Sequence, residues 1–152
     1  KGADGNINTT KWTYNSGAMI AAGVRLYGAT GDTRYLNEAK ATAKSSYDYY
    51  VRSRNGIPLC YPTNDPWFTI QMIKSYVELQ PHDKSFVAKA MEVFIANLDN
   101  AWAKGRMANG LFYEDWTGAN VNPDRDKSLL MQAAALESLG VVAIYKNEKA
   151  DE

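Results

Sequence analysis

Apolar residues fall in two nearly uncharged runs at the ends of the chain and at helical spacing in three segments between them. From Trp12 to Val24 there is no charged residue, and Ala18 to Val24 (AMIAAGV) is apolar throughout. A helix that is apolar on every face is normally enclosed by other elements rather than lying on a surface. Asn15 and Ser16 are good N-cap residues, so the pattern predicts a helix beginning there, with Trp12 and Tyr14 at its mouth. Gly31 then offers a left-handed exit, and Asp32 or Thr33 can cap a new start. Over Thr33 to Val51, Leu36, Ala39, Ala43, Tyr47 and Tyr50 form one stripe, while Glu38, Lys40, Lys44 and Asp48 lie away from it. That is the pattern of an amphipathic outer helix.

Two prolines and a glycine in Arg54 to Asp65 leave room only for a short extended piece at Ile57 to Tyr61. Asp65-Pro66 is a cap followed by the residue best suited to a first helical position, so a third helix starts there. Trp67, Ile70, Ile73 and Val77 carry it to about Gln80-Pro81. A fourth, about Asp83 to Lys104, places Val87, Ala90, Phe94, Leu98 and Ala101 on one stripe, and Gly105 stops it. Arg106 to Asp126 is a long aromatic loop, and loops of this length in a compact domain are usually functional. The fifth helix, roughly Lys127 to Tyr145, has Glu137 as its only charge between Ser128 and Ile144 and is expected to be buried like the first.

Buried, amphipathic, intermediate, amphipathic, buried: this order predicts an all-α fold of antiparallel helical hairpins with inner and outer layers. The loops entering the inner helices then share one end. Trp12, Tyr14 and Asn15, then Asp65 and Trp67, then Glu114, Asp115 and Trp116 would gather there.

Charge narrows the partners. Seventeen basic and seventeen acidic residues in 152 give net zero, dispersed along the chain, so no electrostatic footprint for nucleic acid or an anionic membrane exists and a neutral partner fits better. One cysteine, Cys60, excludes an internal disulfide framework and reads as a small buried packing residue. One histidine, His82, reads as surface, and no Cys/His/Asp cluster has metal-ligand spacing, so neither metal nor cofactor is expected. The longest apolar run reads as too short for a transmembrane segment. A start at Lys1 without methionine or signal peptide suggests a processed chain or, as favoured here, a piece of something longer.

Three blocks in order carry a family resemblance: TYNSGAMIAAGVRLYGATGDTRYLNEAK, then PWFTIQMIKSYVEL, then NAWAKGRMANGLFYEDWTG with QAAALESLG. Together they resemble the C-terminal half of glycoside hydrolase family 76, the endo-α-1,6-mannanases, over about Lys11 to Gly140. The TYNSG helix with its GATGD turn is the most specific part. The resemblance implies an (α/α)6 barrel, incomplete in this chain, acting with retention on α-1,6-linked mannose backbones, in proteins that bacteria export or attach to their surface. The implied division is a linker or loop at 1–10, the barrel portion at 11–146 and a polar tail at 147–152.

The family's chemistry rests on two adjacent aspartates near the start of an inner helix in its N-terminal half. No counterpart precedes the TYNSG block, and five helices cannot close the ring. The expectation is therefore a fragment without catalytic power of its own. Its edges would expose apolar surface that favours self-association or the missing N-terminal half as companion. Its ligand would be α-mannan or a manno-oligosaccharide.

Glu114-Asp115 is the substitute pair to weigh, since a retaining glycosidase needs two carboxyl groups about 5 Å apart. Adjacent carboxylates in a loop are more often solvated or capping groups; such groups can still bind substrate hydroxyls, which keeps Asp115 among the candidate substrate contacts. Asp124 and Asp126 read as caps for the fifth helix. Trp12, Trp67 and Trp116 either stack on sugar rings or pack in the core. Tyr14 and Asn15 either contact substrate or hydrogen-bond backbone at a helix start. Three readings stay open: an enzyme fragment, a mannan-binding protein without hydrolysis, and a helical scaffold. Against the scaffold, the hairpins do not repeat in sequence.

Overall fold

The computed structural model describes residues 5–63 and 65–150, with side chains to residue 147. Residues 1–4 of the expected linker and 151–152 of the expected tail lie outside the described residues. Among those described, five helices and one small hairpin follow in order: α1 (Thr13–Thr30), α2 (Thr33–Tyr50), β1 (Arg52–Arg54), β2 (Ile57–Cys60), α3 (Pro66–Glu78), α4 (Lys84–Lys104) and α5 (Leu129–Ala150).

α1, α3 and α5 form the inner layer and run parallel and level with one another. Arg25 and Glu78, each the thirteenth residue of its helix, pair at 2.7 Å across α1 and α3. Lys74 and Glu137, each the ninth residue of its helix, pair at 2.7 Å across α3 and α5. Partly exposed pairs like these add little stability, but they mark the register. α2 and α4 lie outside, with the expected stripes buried: Ala39, Ala43, Tyr47 and Tyr50 on α2, and Val87, Ala90, Phe94, Leu98 and Ala101 on α4.

Two glycines let α1 approach its neighbours. A Cβ on Gly17 would lie 2.8 Å from the Met72 Cα, and one on Gly23 would lie 2.8 Å from the Tyr35 carbonyl oxygen. Real Cβ atoms do not approach that closely, so a side chain at either site would push α1 off α3 or α2. α3, at the centre of the arc, has Ile70, Met72, Ile73 and Tyr76 fully buried. The Tyr76 hydroxyl reaches Ser46 on α2 at 2.7 Å, which satisfies a polar group inside the core.

Three expectations are corrected. α1 begins two residues before the Asn15 cap: Trp12 takes the cap position in extended backbone without a side-chain cap, and Tyr14 and Asn15 fall in the first turn. Packing sets this start, because the rings of Trp12 and Tyr14 both rest on Phe68 at 5.4 and 4.6 Å. α5 begins at Leu129, after Asp124 and Asp126, and its first bonds run from Met131 and Gln132 N–H to the Ser128 carbonyl. It also continues to Ala150, so the expected polar tail is partly helical. Neither α1 nor α5 is enclosed: Met19, Leu129 and Leu136 are 66, 84 and 72% exposed.

Leu129–Asn147 is long and apolar enough for a span by length and composition alone, with a mean hydropathy of 1.3, a test that the core helix of a folded domain also passes. Only 28% of that window is buried. The buried part includes Ala134, Ala135, Ser138 and Val142.

The hairpin β1–β2 pairs Arg52 with Cys60 and Arg54 with Ile57. Asn55 and Gly56 turn it with positive φ (47° and 82°), the pair of values a two-residue type I′ turn requires. Asn97 on α4 fixes where the chain leaves it, accepting from Tyr61 N–H at 2.9 Å and donating to the Leu59 carbonyl at 2.9 Å. Cys60 is fully buried. His82 is half-buried, edge-on to Tyr27 at 5.3 Å.

Candidate functional site

The mouths of α1 and α3 meet in an aromatic cleft. Asp65 caps α3 by accepting from Phe68 N–H at 3.3 Å, which holds the Phe68 ring beneath Trp12 and Tyr14. Lys11, Trp12, Tyr49, Tyr50, Asp65 and Phe68 line a cavity of about 250 Å³ here. Trp12 is 42% and Tyr49 47% exposed, and the Tyr49 ring carries the Lys11 ammonium 4.6 Å from its centre. Burial raises the Asp65 carboxyl above its ordinary value; the Phe68 amide opposes this and the nearby Glu114 charge adds to it.

Beside it lies a polar cleft of about 610 Å³ between the hairpin turn and the long loop. Asp115 organises this side. Its Oδ1 accepts from the Thr63 hydroxyl (3.1 Å) and from both the amide (2.9 Å) and the hydroxyl (2.7 Å) of Thr117. Its Oδ2 accepts from the amide (3.1 Å) and the side chain (2.8 Å) of Asn120. Asn55 in the hairpin turn donates to the Thr117 hydroxyl at 2.8 Å, so one carboxylate ties hairpin, α3 entrance and loop together. Burial, the largest single influence, pushes the Asp115 pKa up. The hydrogen bonds from Thr117, Asn120 and Thr63 together outweigh it and leave the pKa below its ordinary value. Glu114 pairs with Arg125 at 3.0 Å.

Of the residues singled out from the sequence, Trp12, Tyr14, Asp65, Glu114 and Asp115 are brought to one end. Asn15 is exposed on the first turn of α1. Trp67 is half-buried against the core. Of the two alternatives open for Trp116 the structure has the packed one: it is 4% exposed, near Phe112 at 6.4 Å. Its Nε1 lacks a hydrogen-bond partner, while Asn100 donates to its carbonyl at 2.8 Å. The sequence reading missed Phe68, Tyr49, Thr63, Asn55 and Asn120. Asn55-Gly56 was the available signal, because Asn-Gly between two short extended runs marks a hairpin.

The chemistry of this end suits recognition of a neutral polyhydroxylated ligand: apolar ring faces beside carboxylate, amide and hydroxyl groups. It does not suit nucleophilic attack by Asp115, whose two oxygens already receive five hydrogen bonds, or by Glu114, which faces a guanidinium. Among the described residues no group of three or more His, Cys, Asp or Glu could hold a metal ion.

Two layers of helical hairpins, with the inner helices parallel and their mouths lined by aromatic and polar groups, define the class: an arc of an (α/α)6 barrel. The chain belongs to glycosyl hydrolase family 76, whose family model matches residues 1–150. A family 76 glycoside hydrolase from a bovine Bacteroides thetaiotaomicron strain superposes with a TM-score of 0.79 at 26% identity, over 93% of this chain and 31% of that one. An alpha-mannanase of the family from Bacteroides thetaiotaomicron gives 0.71 at 30% identity, over 97% of this chain and 39% of that one. At 20% identity, an inactive alpha-1,6-mannanase from Salegentibacter sp., with two adjacent aspartates replaced by alanine and alpha-1,6-mannotetrose bound, shares the fold with a TM-score of 0.72, over 89% of this chain and 40% of that one. The chain thus spans between about a third and two fifths of these relatives' length. No curated protein matches the sequence.

Proposed function

We propose that this chain forms one wall of the substrate cleft of a glycoside hydrolase that cleaves α-1,6-mannan internally with retention of configuration. In this reading Trp12, Tyr14 and Asn15 meet the sugar, with Asp65 accepting hydroxyl hydrogen bonds beside them. The catalytic carboxylates come from a part of the family fold that the chain does not include, the N-terminal half. The observation that carries the proposal is the pairing of an open aromatic cleft with two carboxylates that are already committed: Glu114 to Arg125 and Asp115 to its five donors. An open cleft beside a Glu114 and an Asp115 that other groups already engage favours a binding role for this chain over a catalytic one. Family membership and the mannanase relatives supply the substrate class. An enzyme acting on an external polysaccharide works outside the cytoplasm, exported or attached to the cell surface.

The test is release of reducing ends from α-1,6-mannan by this chain beside a longer product of its gene that reaches into the N-terminal half. Release by the longer product alone supports the proposal. Release by this chain alone overturns it and moves Glu114 and Asp115 to the centre of the chemistry.

A further inference from the structure

The aromatic cleft owes one wall to the stretch between α2 and α3. Tyr49 and Tyr50 stand just before the β1–β2 hairpin, Pro62 and Asp65 just after it, and all four line the cleft. The foot of the hairpin is fixed from the core side, by Asn97 on α4 and by the Thr69 hydroxyl, which donates to the Pro62 carbonyl at 3.0 Å. Thr63, between two cleft residues in sequence, lines the polar cleft instead, and its hydroxyl donates to Asp115, 52 residues further along the chain. At the tip, Asn55 donates to the Thr117 hydroxyl, which itself donates to Asp115. Asp115 therefore grips this wall at two points.

A carboxylate offers about four lone-pair sites. Asp115 already accepts five hydrogen bonds, so none is left for a sugar hydroxyl. What it can do is stiffen. A hairpin of two strands is marginal by itself, and β1 and β2 have only three and four residues. Hydrogen bonds to an ionised acceptor are about twice as strong as neutral ones, so Asp115 supplies rigidity that the hairpin lacks. Given the reading of the aromatic cleft as a sugar site, on which this rests, we infer that Asp115 is a positioning residue. Through Thr63, and through Thr117 and Asn55, it sets where Pro62 and Asp65 meet the ligand, and it does not touch the ligand itself.

Calorimetric titration with α-1,6-mannotetrose tests this on the parent chain, Thr63→Val, Thr63→Ser and Asp115→Ala. Thr63→Val keeps the shape and removes the donor, so affinity should fall about tenfold, the size of one hydrogen bond to a charged group. Thr63→Ser, which keeps the hydroxyl, should restore it. Asp115→Ala should weaken binding as well, and with Asp115 gone Thr63→Val should change affinity by less than about twofold, because the two act in one line. Trp12, whose ring rests on Phe68 in the same cleft, gives a readout that needs no sugar. Its indole N–H resonance should move in Thr63→Val and in Asp115→Ala, and return in Thr63→Ser. An affinity lowered by Asp115→Ala but untouched by Thr63→Val would make Asp115 a direct contact and overturn the inference. So would a loss that Thr63→Ser does not restore. Where Asp115→Ala does not fold, the two Thr63 variants decide alone. If the parent chain does not bind the sugar, the reading of the cleft falls, and the Trp12 resonance decides this inference by itself: unmoved in Thr63→Val, it overturns it.

Discussion

α3 and α5 are both inner helices rich in apolar residues, yet α3 has Ile70, Met72 and Ile73 without solvent exposure while α5 leaves Leu136 and Ile144 at 72 and 58%. Composition does not separate them. Position does: α3 has α1 on one side, α5 on the other and the outer helices behind it, whereas α5 has neighbours on one side only. An apolar helix with one open face is the mark of an edge, and α1 bears the same mark through Met19 and Leu26. α3 is held by packing. α5 is held by a shorter set of ties: the Lys74–Glu137 pair, a few small buried residues, and the Gln132 side chain, which accepts from Phe112 N–H at 2.8 Å and donates to its carbonyl at 2.9 Å.

The contrast can be broken first at its centre. Gly17→Val forces a branched side chain into the Met72 backbone and should cost about 4 kcal/mol or more, with the helical signal lost well below the parent melting temperature. Ile73→Ala, which leaves a cavity inside α3, should cost about 3 kcal/mol by denaturant unfolding. Asp115→Ala removes the acceptor of five hydrogen bonds and should cost about 2 kcal/mol. Amide exchange should locate that loss in the loop and α5 while α3 keeps its protection. Leu136→Ala, at a position 72% exposed, should stay within about 0.5 kcal/mol. Equal costs for Ile73→Ala and Leu136→Ala would erase the distinction between centre and edge.

Acid sharpens the same contrast. The folded pKa of Asp115 lies below its ordinary value of 3.8, so its contribution is complete above that value and fades as pH falls through the lower, folded one. Asp65 has the opposite sign: raised above 3.8 by burial, its ionisation takes stability away as pH rises through the folded value. Exchange in the loop and α5 should therefore accelerate only below pH 3.8, with α3 the last helix to lose protection.

Helices, caps and stripes were legible because they are local. Asp65-Pro66, Asp83 and the α2 and α4 stripes follow from propensity and spacing, and the structure has them where the pattern puts them. Three things were not local. The start of α1 is set by Trp12 and Tyr14 resting on Phe68, more than fifty residues away, rather than by the good cap at Asn15. The burial of Trp116 depends on a loop that folds back on α4 through Asn100, which no spacing rule reports. The exposure of α1 and α5 depends on which neighbours are present, and an uncharged run cannot state that. At the candidate site, Trp12, Tyr14 and the carboxylates were found from their place at helix mouths. Thr63, Asn55 and Asn120 were missed because Asp115 draws in Thr63 from before α3, Asn120 from its own loop and, through Thr117, Asn55 from the hairpin turn.

The most direct test of a mannan-binding wall is to titrate this chain with α-1,6-mannotetrose and follow its backbone amides by NMR. A saturable set of shifts centred on Trp12, Tyr14, Asn15, Asp65 and Phe68, abolished by Trp12→Ala without loss of fold, is the expected result. Shifts confined to other surfaces, or none at millimolar sugar, would contradict the account.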